Sequence, residues 1–312
     1  MIWLTWRQQR LEAMIGGALL AVLAAFLLVT GLDMASSYQH LGVAACLTSY
    51  TPTCGAIDSA FRDQYGTLSN AVVWLNLLPL FFGILLAAPF DLELEQGTYR
   101  LVWTQSITRT RWVALKLGLL VAAAVLISLA LTALLTWWRT PFDQLDGSFA
   151  PHGFDFEGTV QVAYTVFAVA LGLAVGTLLR RTIPAVAISL VGFLVLRLGL
   201  EGWARPNYVP PVVKTTVPDA LKRSDWLLDQ YLQNRAGQQL SFLDVMRTCG
   251  ITRGKQVSLS NSCLSQHGIV TVLTYQPADR FWQFQGIESA IFLGLAAGLL
   301  ALTIWWVRER IA

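Results

Sequence analysis

The chain has 312 residues, of which 55% are hydrophobic and 13% are charged, and its formal net charge at pH 7 is +3. One water-soluble core of this size cannot bury so much apolar surface, so the composition excludes an ordinary soluble protein and indicates a membrane protein. The small positive charge gives no reason to expect a nucleic-acid partner.

Six stretches of the sequence are long and apolar enough to cross a bilayer, whose hydrocarbon core takes about 20 helical residues. None of them alternates apolar with polar residues as the strands of a membrane barrel do, so helices are expected. The predicted fold class is therefore an all-α polytopic membrane protein with six transmembrane helices. The predicted spans are residues 14–32, 71–90, 117–138, 160–179, 183–200 and 286–307.

The N-terminal residues place Trp3 and Trp6 beside Arg7 and Arg10, a pattern suited to an amphipathic helix in the membrane interface. An ordinary span flank with two aromatic-belt tryptophans fits equally well. No small-residue cleavage motif follows the first span, and Glu12 stands at its start, so a retained helix is expected instead of a signal peptide.

Basic residues in the short loops predict that both termini are cytoplasmic. The basic residues on the predicted cytoplasmic side are Arg7, Arg10, Arg100, Arg109, Arg111, Lys116, Arg180, Arg181, Arg308 and Arg310, against Arg62 and Arg139 on the other side.

All four cysteines lie in the two longest loops that this topology places outside the cell. Sequence proximity favours pairing Cys46 with Cys54 and Cys249 with Cys263, each pair stabilising the fold by roughly 2–3 kcal/mol. Four free thiols are the alternative.

Inside the second span, Pro79 is expected to bend the helix, and Asn76 adds a polar group one turn before it. The bend is either a gate or substrate contact, or simply a tolerated kink. Small residues at four-residue spacing let neighbouring helices pack closely. Such pairs are Gly172 with Gly176 and Gly294 with Gly298.

A polar run, residues 91–112, separates the second and third spans. Three acidic residues open it, a Gly97–Thr98 break follows, and Arg109 and Arg111 begin the next span. This order suits both the helix dipole and an anionic inner leaflet. The run reads either as a docking surface for another protein or as a solvated loop between helices.

Arg197 lies inside the fifth span, where an arginine costs a few kcal/mol unless it is paired or reaches water. Glu201 follows one helical turn later, and Glu288 begins the last span. We expect these three residues to form a structural charge cluster at the external end of the bundle. Direct contact with substrate is the other reading.

Residues 203–285 form a polar segment that is expected to be an external cap of helices and loops, because several apolar residues recur at helical spacing. The chain thus divides into residues 1–202 with the first five spans, the cap 203–285, and residues 286–312 with the last span and a cytoplasmic tail. The recurring residues are Leu221, Trp226, Leu227, Leu228, Tyr231 and Leu232.

No catalytic, cofactor or metal site is predicted. His40, His152 and His267 fall in three different loops without metal-ligand spacing, and no G-x-S-x-G turn is present. The Gly254–Lys255 pair lacks the rest of a phosphate-binding loop. Any chemical reaction that the function requires is therefore expected to take place in another chain.

The run E-x-GT-x-R-L-x-W-TQS-x-TR-x-RW over residues 95–112 resembles the first cytoplasmic loop of bacterial ABC-2-type permeases, the membrane subunits of ATP-binding-cassette exporters. Two further matches are YQPADRFW-x-FQ-x-IE over residues 275–288 and the Trp305-Trp306-x-Arg308 ending. The external cap is longer than in the simplest members of that family.

The resemblance implies a bacterial plasma membrane as the location. It also implies a dimer of identical or closely related permeases with two cytoplasmic ATPase subunits, which alone would hold ATP and Mg²⁺. It implies export by alternating access, with the cargo path between protomers lined mainly by the second and fifth spans. Few charges there suggest an apolar or amphipathic cargo such as a drug, antibiotic, peptide or lipid. The implied ATPase-docking residues are Glu93, Glu95, Gly97, Thr98, Arg100, Trp103, Thr104, Gln105, Ser106, Arg109 and Arg111, and the cavity candidates are Asn76, Phe81, Phe82, Phe193 and Leu196.

Other functions stay open. A membrane-anchored binding or immunity protein would act through its cap and give protection without ATP hydrolysis. A cap-based enzyme would turn over substrate as an isolated chain, and a channel would need a ring-forming filter sequence, which is not visible.

Overall fold

The computed structural model describes residues 2–49, 52–100, 108–149, 151–216, 222–249 and 261–310. Six helical segments in these ranges are long and apolar enough to cross a membrane, which confirms the predicted helical polytopic membrane fold with six spans. The spanning segments are Met14–His40, Cys54–Gln96, Arg109–Asp146, Val160–Leu179, Thr182–Asn207 and Ala278–Arg310.

We call the side of the bundle with the 97–108 connection the loop side, and the side with residues 203–277 the cap side. A 3-10 helix over Val73–Leu77 joins α3 to α4. The α-helices are α1 (Ile2–His40), α2 (Val43–Thr48), α3 (Cys54–Val72), α4 (Leu78–Gln96), α5 (Arg109–Asp146), α6 (Pro151–Phe154), α7 (Val160–Leu179), α8 (Thr182–Gly199), α9 (Phe242–Thr248), α10 (Asn261–Gln266) and α11 (Phe281–Arg310).

The N-terminal residues do not form a separate interfacial helix. A single helix, α1, runs from Ile2 to His40. The sequence between Ile2 and the first span contains no proline or glycine before Gly16, and residues such as Gln, Arg, Leu and Glu favour helix. The chain therefore enters the first span without a break.

The first cap-side connection is helical where a loop was expected. The helix α5 alone has 38 residues, about 57 Å of helix, whereas a span needs about 20 residues. Its end and the end of α1 extend past the span and pack with α2 and α3 through a second apolar core that includes Phe61, Trp138 and Phe142. The structure pairs Cys46 with Cys54 across α2 and α3, and Cys249 with Cys263 in the cap, which confirms both predicted disulfides.

The helix α7 is the central helix of the bundle. It packs against α4, α5, α8 and α11, and most of its residues are buried. A 20-residue helix that is apolar on all sides has no face suited to water, so its sequence fits a position surrounded by other helices. The other spans leave large apolar side chains exposed, as expected for helices in contact with lipid.

Small residues bring α4 and α7 close together. A Cβ atom added to Gly172 would lie 2.6 Å from the Cβ atom of Ala87, and one added to Gly83 would meet Ala168. The pair Gly172 and Gly176 therefore packs helices as predicted. The other pair differs, because no described atom lies within 4 Å of a Cβ atom added to Gly294.

The prediction of a purely helical cap is wrong. The cap contains a four-stranded antiparallel sheet in the order β1-β4-β2-β3. The predicted helix around Trp226 is instead β2, because its backbone pairs with the buried, β-branched strand β4 and this tertiary pairing overrides the local helical spacing. Within the described residues 222–249, the residues after Ser241, which forms a capping box with Asp244, form the helix α9. The strands are β1 (Val212–Thr216), β2 (Trp226–Gln233), β3 (Gln239–Leu240) and β4 (Val270–Gln276).

Candidate functional site

Two polar regions stand out, one at each end of the bundle. On the loop side, α4 continues through the first acidic residues of the polar run and ends at Gln96. Gly97 follows with φ of 72°, a left-handed conformation that glycine adopts without strain and that commonly closes a helix. The acidic residues are therefore held on a helix instead of in a loop.

Glu93 joins α4 to α5 through an ion pair. Its carboxylate pairs with the ammonium group of Lys116, and both side chains are largely buried. The ammonium group also lies 5.7 Å from the ring centroid of Phe90 and 5.4 Å from that of Trp112. Cation–π contacts of this kind add to the ion pair. The two helices that flank the 97–108 connection are thus fixed to each other at the loop side.

Glu95 joins α4 to α8. Its Oε2 atom accepts hydrogen bonds from the backbone N–H of Thr182 at 2.8 Å and from the Thr182 hydroxyl at 2.6 Å. Thr182 is the first residue of α8, and Arg181 before it contributes no side-chain cap. A carboxylate at a helix N-terminus satisfies an orphan N–H and interacts favourably with the helix dipole.

Three exposed arginines border the 101–107 segment: Arg100, Arg109 and Arg111. Thr108 caps α5, since its hydroxyl accepts from the backbone N–H of Arg111 at 3.4 Å. The structure thus gathers the described docking candidates into one loop-side region. Trp103, Thr104, Gln105 and Ser106 lie outside the described residues.

On the cap side, five nearly fully buried side chains form one network of alternating charge. Asp155 accepts from Arg197 at 3.0 Å and from Arg205 at 2.7 Å. Glu288 accepts two hydrogen bonds from Arg205, each at 2.8 Å, and one from the hydroxyl of Tyr164. Two guanidinium groups face two carboxylates, so the buried group of charges is balanced. We call Asp155, Tyr164, Arg197, Arg205 and Glu288 the cap-side network.

The predicted charge cluster is present, but its partners differ from those expected. Arg197 pairs with Asp155, and Glu288 pairs with Arg205. Among the described residues, Glu201 forms no ion pair with Arg197. The helix widens into a π turn over Leu200–Ala204, which carries Glu201 away and turns Arg205 inward.

Sequence reasoning missed Asp155, Arg205 and Tyr164. Asp155 lies in the connection between the third and fourth spans, where nothing in the sequence gives its depth. Arg205 follows Arg197 by eight residues, and two arginines at the end of a span do need two carboxylates if both are buried. This need for two carboxylates is the signal in the sequence that could have indicated the further members of the network.

The cavity candidates do not share one surface within the chain. Phe82 and Phe193 are buried, and the ring of Phe193 stacks on Phe167 with centroids 6.0 Å apart. Phe81 is 43% exposed and Leu196 is 40% exposed. Only these last two present apolar surface outside the bundle.

Asn76 contacts the cap-side network through its backbone carbonyl oxygen. Pro79 has no N–H to donate, and the turn before it is the 3-10 helix Val73–Leu77. The carbonyl oxygen of Asn76 accepts from the guanidinium group of Arg197. The predicted break in the second span therefore supplies a buried acceptor for the membrane arginine.

A second group of charged side chains, Arg139, Asp143 and Glu157, lies on the cap side. Arg139 pairs with Asp143 at 3.2 Å, and both side chains are buried. Glu157 lies beside them, and burial together with the neighbouring Asp143 carboxyl raises its pKa to about 8. No set of three His, Cys, Asp or Glu side chains suited to a metal occurs in the part of the chain that the structure describes.

Comparison with known proteins identifies a family. The family model described as ABC-2 membrane transporter related matches residues 17–205, more than half of the chain. The match begins in α1, includes the loop-side region and four of the five residues of the cap-side network, and ends before the cap sheet and Glu288. No curated protein and no solved structure matches the chain.

Proposed function

The chain belongs to the ABC-2 membrane transporter related family, and from this premise we propose that it is the permease subunit of an ATP-driven exporter whose ATPase is a separate chain. The chain itself is a multi-pass membrane transport subunit and not the catalyst. In the proposal, ATP and Mg²⁺ bind only to the partner, the loop side faces the cytoplasm, and the cap faces the outside.

The observation that carries the proposal is that two carboxylates of α4 join it to two other spanning helices on the loop side. Glu93 fixes the end of α4 to α5, and Glu95 fixes it to α8. A force applied to the 97–108 connection would therefore act on three spanning helices instead of deforming a free loop. Packed helices respond to such a force by changing between discrete arrangements.

The exposed arginines of this region suit a partner with acidic side chains. Arg109 and Arg111 stand in the first turn of α5, which the Glu93 ion pair joins to α4, and Arg100 follows the end of α4 by four residues. Joining the two helices before a partner binds favours association, because less of the backbone must be ordered on binding. We assign the ATPase-docking surface to this region, including the 101–107 segment.

The cargo is proposed to pass between two copies of the chain, along α4 and α8, and outward. These two helices pack against each other, and both carry exposed apolar residues such as Phe81 and Leu196. Apolar surface with few charges suits an amphipathic or apolar cargo, for example a drug-like molecule, a peptide or a lipid.

Purification of the chain from its own membrane, followed by identification of bound proteins, tests the proposal. A nucleotide-binding protein should copurify, and its ATPase rate should depend on the permease. Arg100→Ala should lower that dependence, whereas Arg310→Ala, which removes an exposed loop-side cation outside the 97–108 connection, should not.

Two results would count against the proposal. One is a functional protein with no bound nucleotide-binding protein. The other is protection of cells from a toxic compound that persists when ATP hydrolysis is blocked, which would favour the membrane-anchored binding or immunity protein instead.

A further inference from the structure

The helix α8 is attached to the rest of the bundle along one narrow line. Its buried residues are Ala185, Ser189, Phe193 and Arg197, each four positions after the previous one. Its other residues are exposed or half-buried. A helix held along a single line has fewer packing contacts to break than α7, so it is better suited than α7 to move relative to the bundle.

The loop-side end of α8 is held by α4. The carboxylate of Glu95 takes the place of an N-cap, because it accepts from both the backbone N–H and the hydroxyl of Thr182. Glu95 stands two residues before Gly97, where α4 ends and the proposed docking region begins. One carboxylate thus connects that region to the first residue of α8.

The cap-side end of α8 is held by the cap-side network. Arg197 donates to Asp155 and to the carbonyl oxygen of Asn76. Thr182 and Arg197 are separated by about 22 Å of helix at 1.5 Å per residue. The only proline of α8 is Pro184 in its first turn, where proline is tolerated, so the helix between these two ends is continuous.

We propose that the contact between Glu95 and Thr182 is the link through which movement of the docking region reaches α8. Glu95 is then a positioning residue inside this chain instead of a contact for the ATPase. The cap-side network keeps the far end of α8 in place while the loop-side end is displaced. This inference rests on the proposed function and names how its docking region drives a span on the cargo path.

The test uses the full chain in lipid nanodiscs with the ATPase that copurifies. All four native cysteines are in disulfides, so Val195→Cys, at a position 65% exposed on α8, provides a single site for an environment-sensitive fluorophore. The ligand added to the complex is a non-hydrolysable ATP analogue with Mg²⁺. Two quantities are measured: the fluorescence change on adding the analogue, and the amount of ATPase bound per permease.

In the unmodified pair, the analogue should change the fluorescence. Glu95→Ala should remove most of that change while the bound ATPase stays constant. Glu95→Gln keeps an oxygen acceptor and should retain most of it. Thr182→Val should reduce the change, and the double variant with Glu95→Ala should be no worse than Glu95→Ala alone, as expected for two partners in one contact. Glu309→Ala, which removes another exposed loop-side carboxylate, should have no effect.

Two outcomes would overturn the inference and leave the proposed function intact: a full fluorescence change in Glu95→Ala, or loss of the ATPase from that variant, which would make Glu95 a docking contact. A parent protein that binds no ATPase would instead contradict the proposed function, and the inference with it.

Discussion

The cap-side network allows a quantitative test, because its charges balance only as a set. Replacing Asp155 with Asn keeps the shape and removes one negative charge. Arg205 would retain the two hydrogen bonds that it donates to Glu288, each 2.8 Å long, but Arg197 would lose its carboxylate partner and keep the neutral carbonyl oxygen of Asn76 as an acceptor. The variant therefore leaves one guanidinium group buried without a counter-charge.

Loss of one partner from a buried ion pair typically costs about 3–5 kcal/mol, because the remaining charge is desolvated and unpaired. At about 2 °C per kcal/mol for a chain of this size, Asp155→Asn should lower the midpoint of thermal unfolding by about 6–10 °C. Adding Arg197→Met removes the unpaired charge at similar volume, so the double variant should regain most of that loss.

The assay is thermal unfolding of the purified chain in one detergent, followed by intrinsic tryptophan fluorescence. Asp63→Asn provides the control, because Asp63 is exposed on α3, and its effect should stay within about 0.5 kcal/mol. The reasoning would be refuted by an Asp155→Asn midpoint equal to that of the control, or by a double variant as unstable as the sum of both single variants.

Two other predictions concern packing and pH. Gly172→Ala would place a Cβ atom 2.6 Å from that of Ala87, so it should destabilise the fold by about 1–3 kcal/mol. Gly294→Ala, with no described atom within 4 Å, should change the unfolding midpoint little. Burial raises the pKa of Glu157 from 4.5 to about 8, so the folded state binds this proton more tightly than the unfolded state. Stability from this group is therefore complete below about pH 4.5 and is lost as the pH rises to about 8, and Glu157→Gln should be less sensitive to pH over that range in the same unfolding assay.

The spans follow from the sequence because bilayer thickness fixes their length, and the disulfides follow because each pair is close along the chain. The end of α4 at Gly97 could also be predicted, since glycine favours the left-handed conformation that closes helices. These features depend on local sequence alone.

The partners of Arg197 could not be predicted in the same way. Asp155 reaches Arg197 only because the connection before α7 folds back into the bundle, and Glu288 is drawn to Arg205 by the π turn after α8. The prediction of a helical cap is wrong for a related reason. The residues around Trp226 have helical spacing, but the strand β4, far along the chain, pairs with them.

The role of Glu95 shows a third limit. Its position in the polar run predicts a contact with a partner protein, yet the structure gives its Oε2 atom two donors within the chain. A motif identifies residues that matter at a surface, and only the tertiary structure distinguishes those that face the partner from those that fix the surface itself.

The central claim is that the 97–108 connection binds an ATPase on the cytoplasmic side. Photocrosslinking from single positions in intact membranes tests it most directly, with the crosslinker at Arg100 in one sample and at the exposed Lys222 of the cap in another. The account predicts a crosslinked product that contains a nucleotide-binding protein from Arg100 and none from Lys222. Such a product from Lys222 alone, or accessibility of Arg100 to a membrane-impermeant reagent outside intact cells, would contradict it.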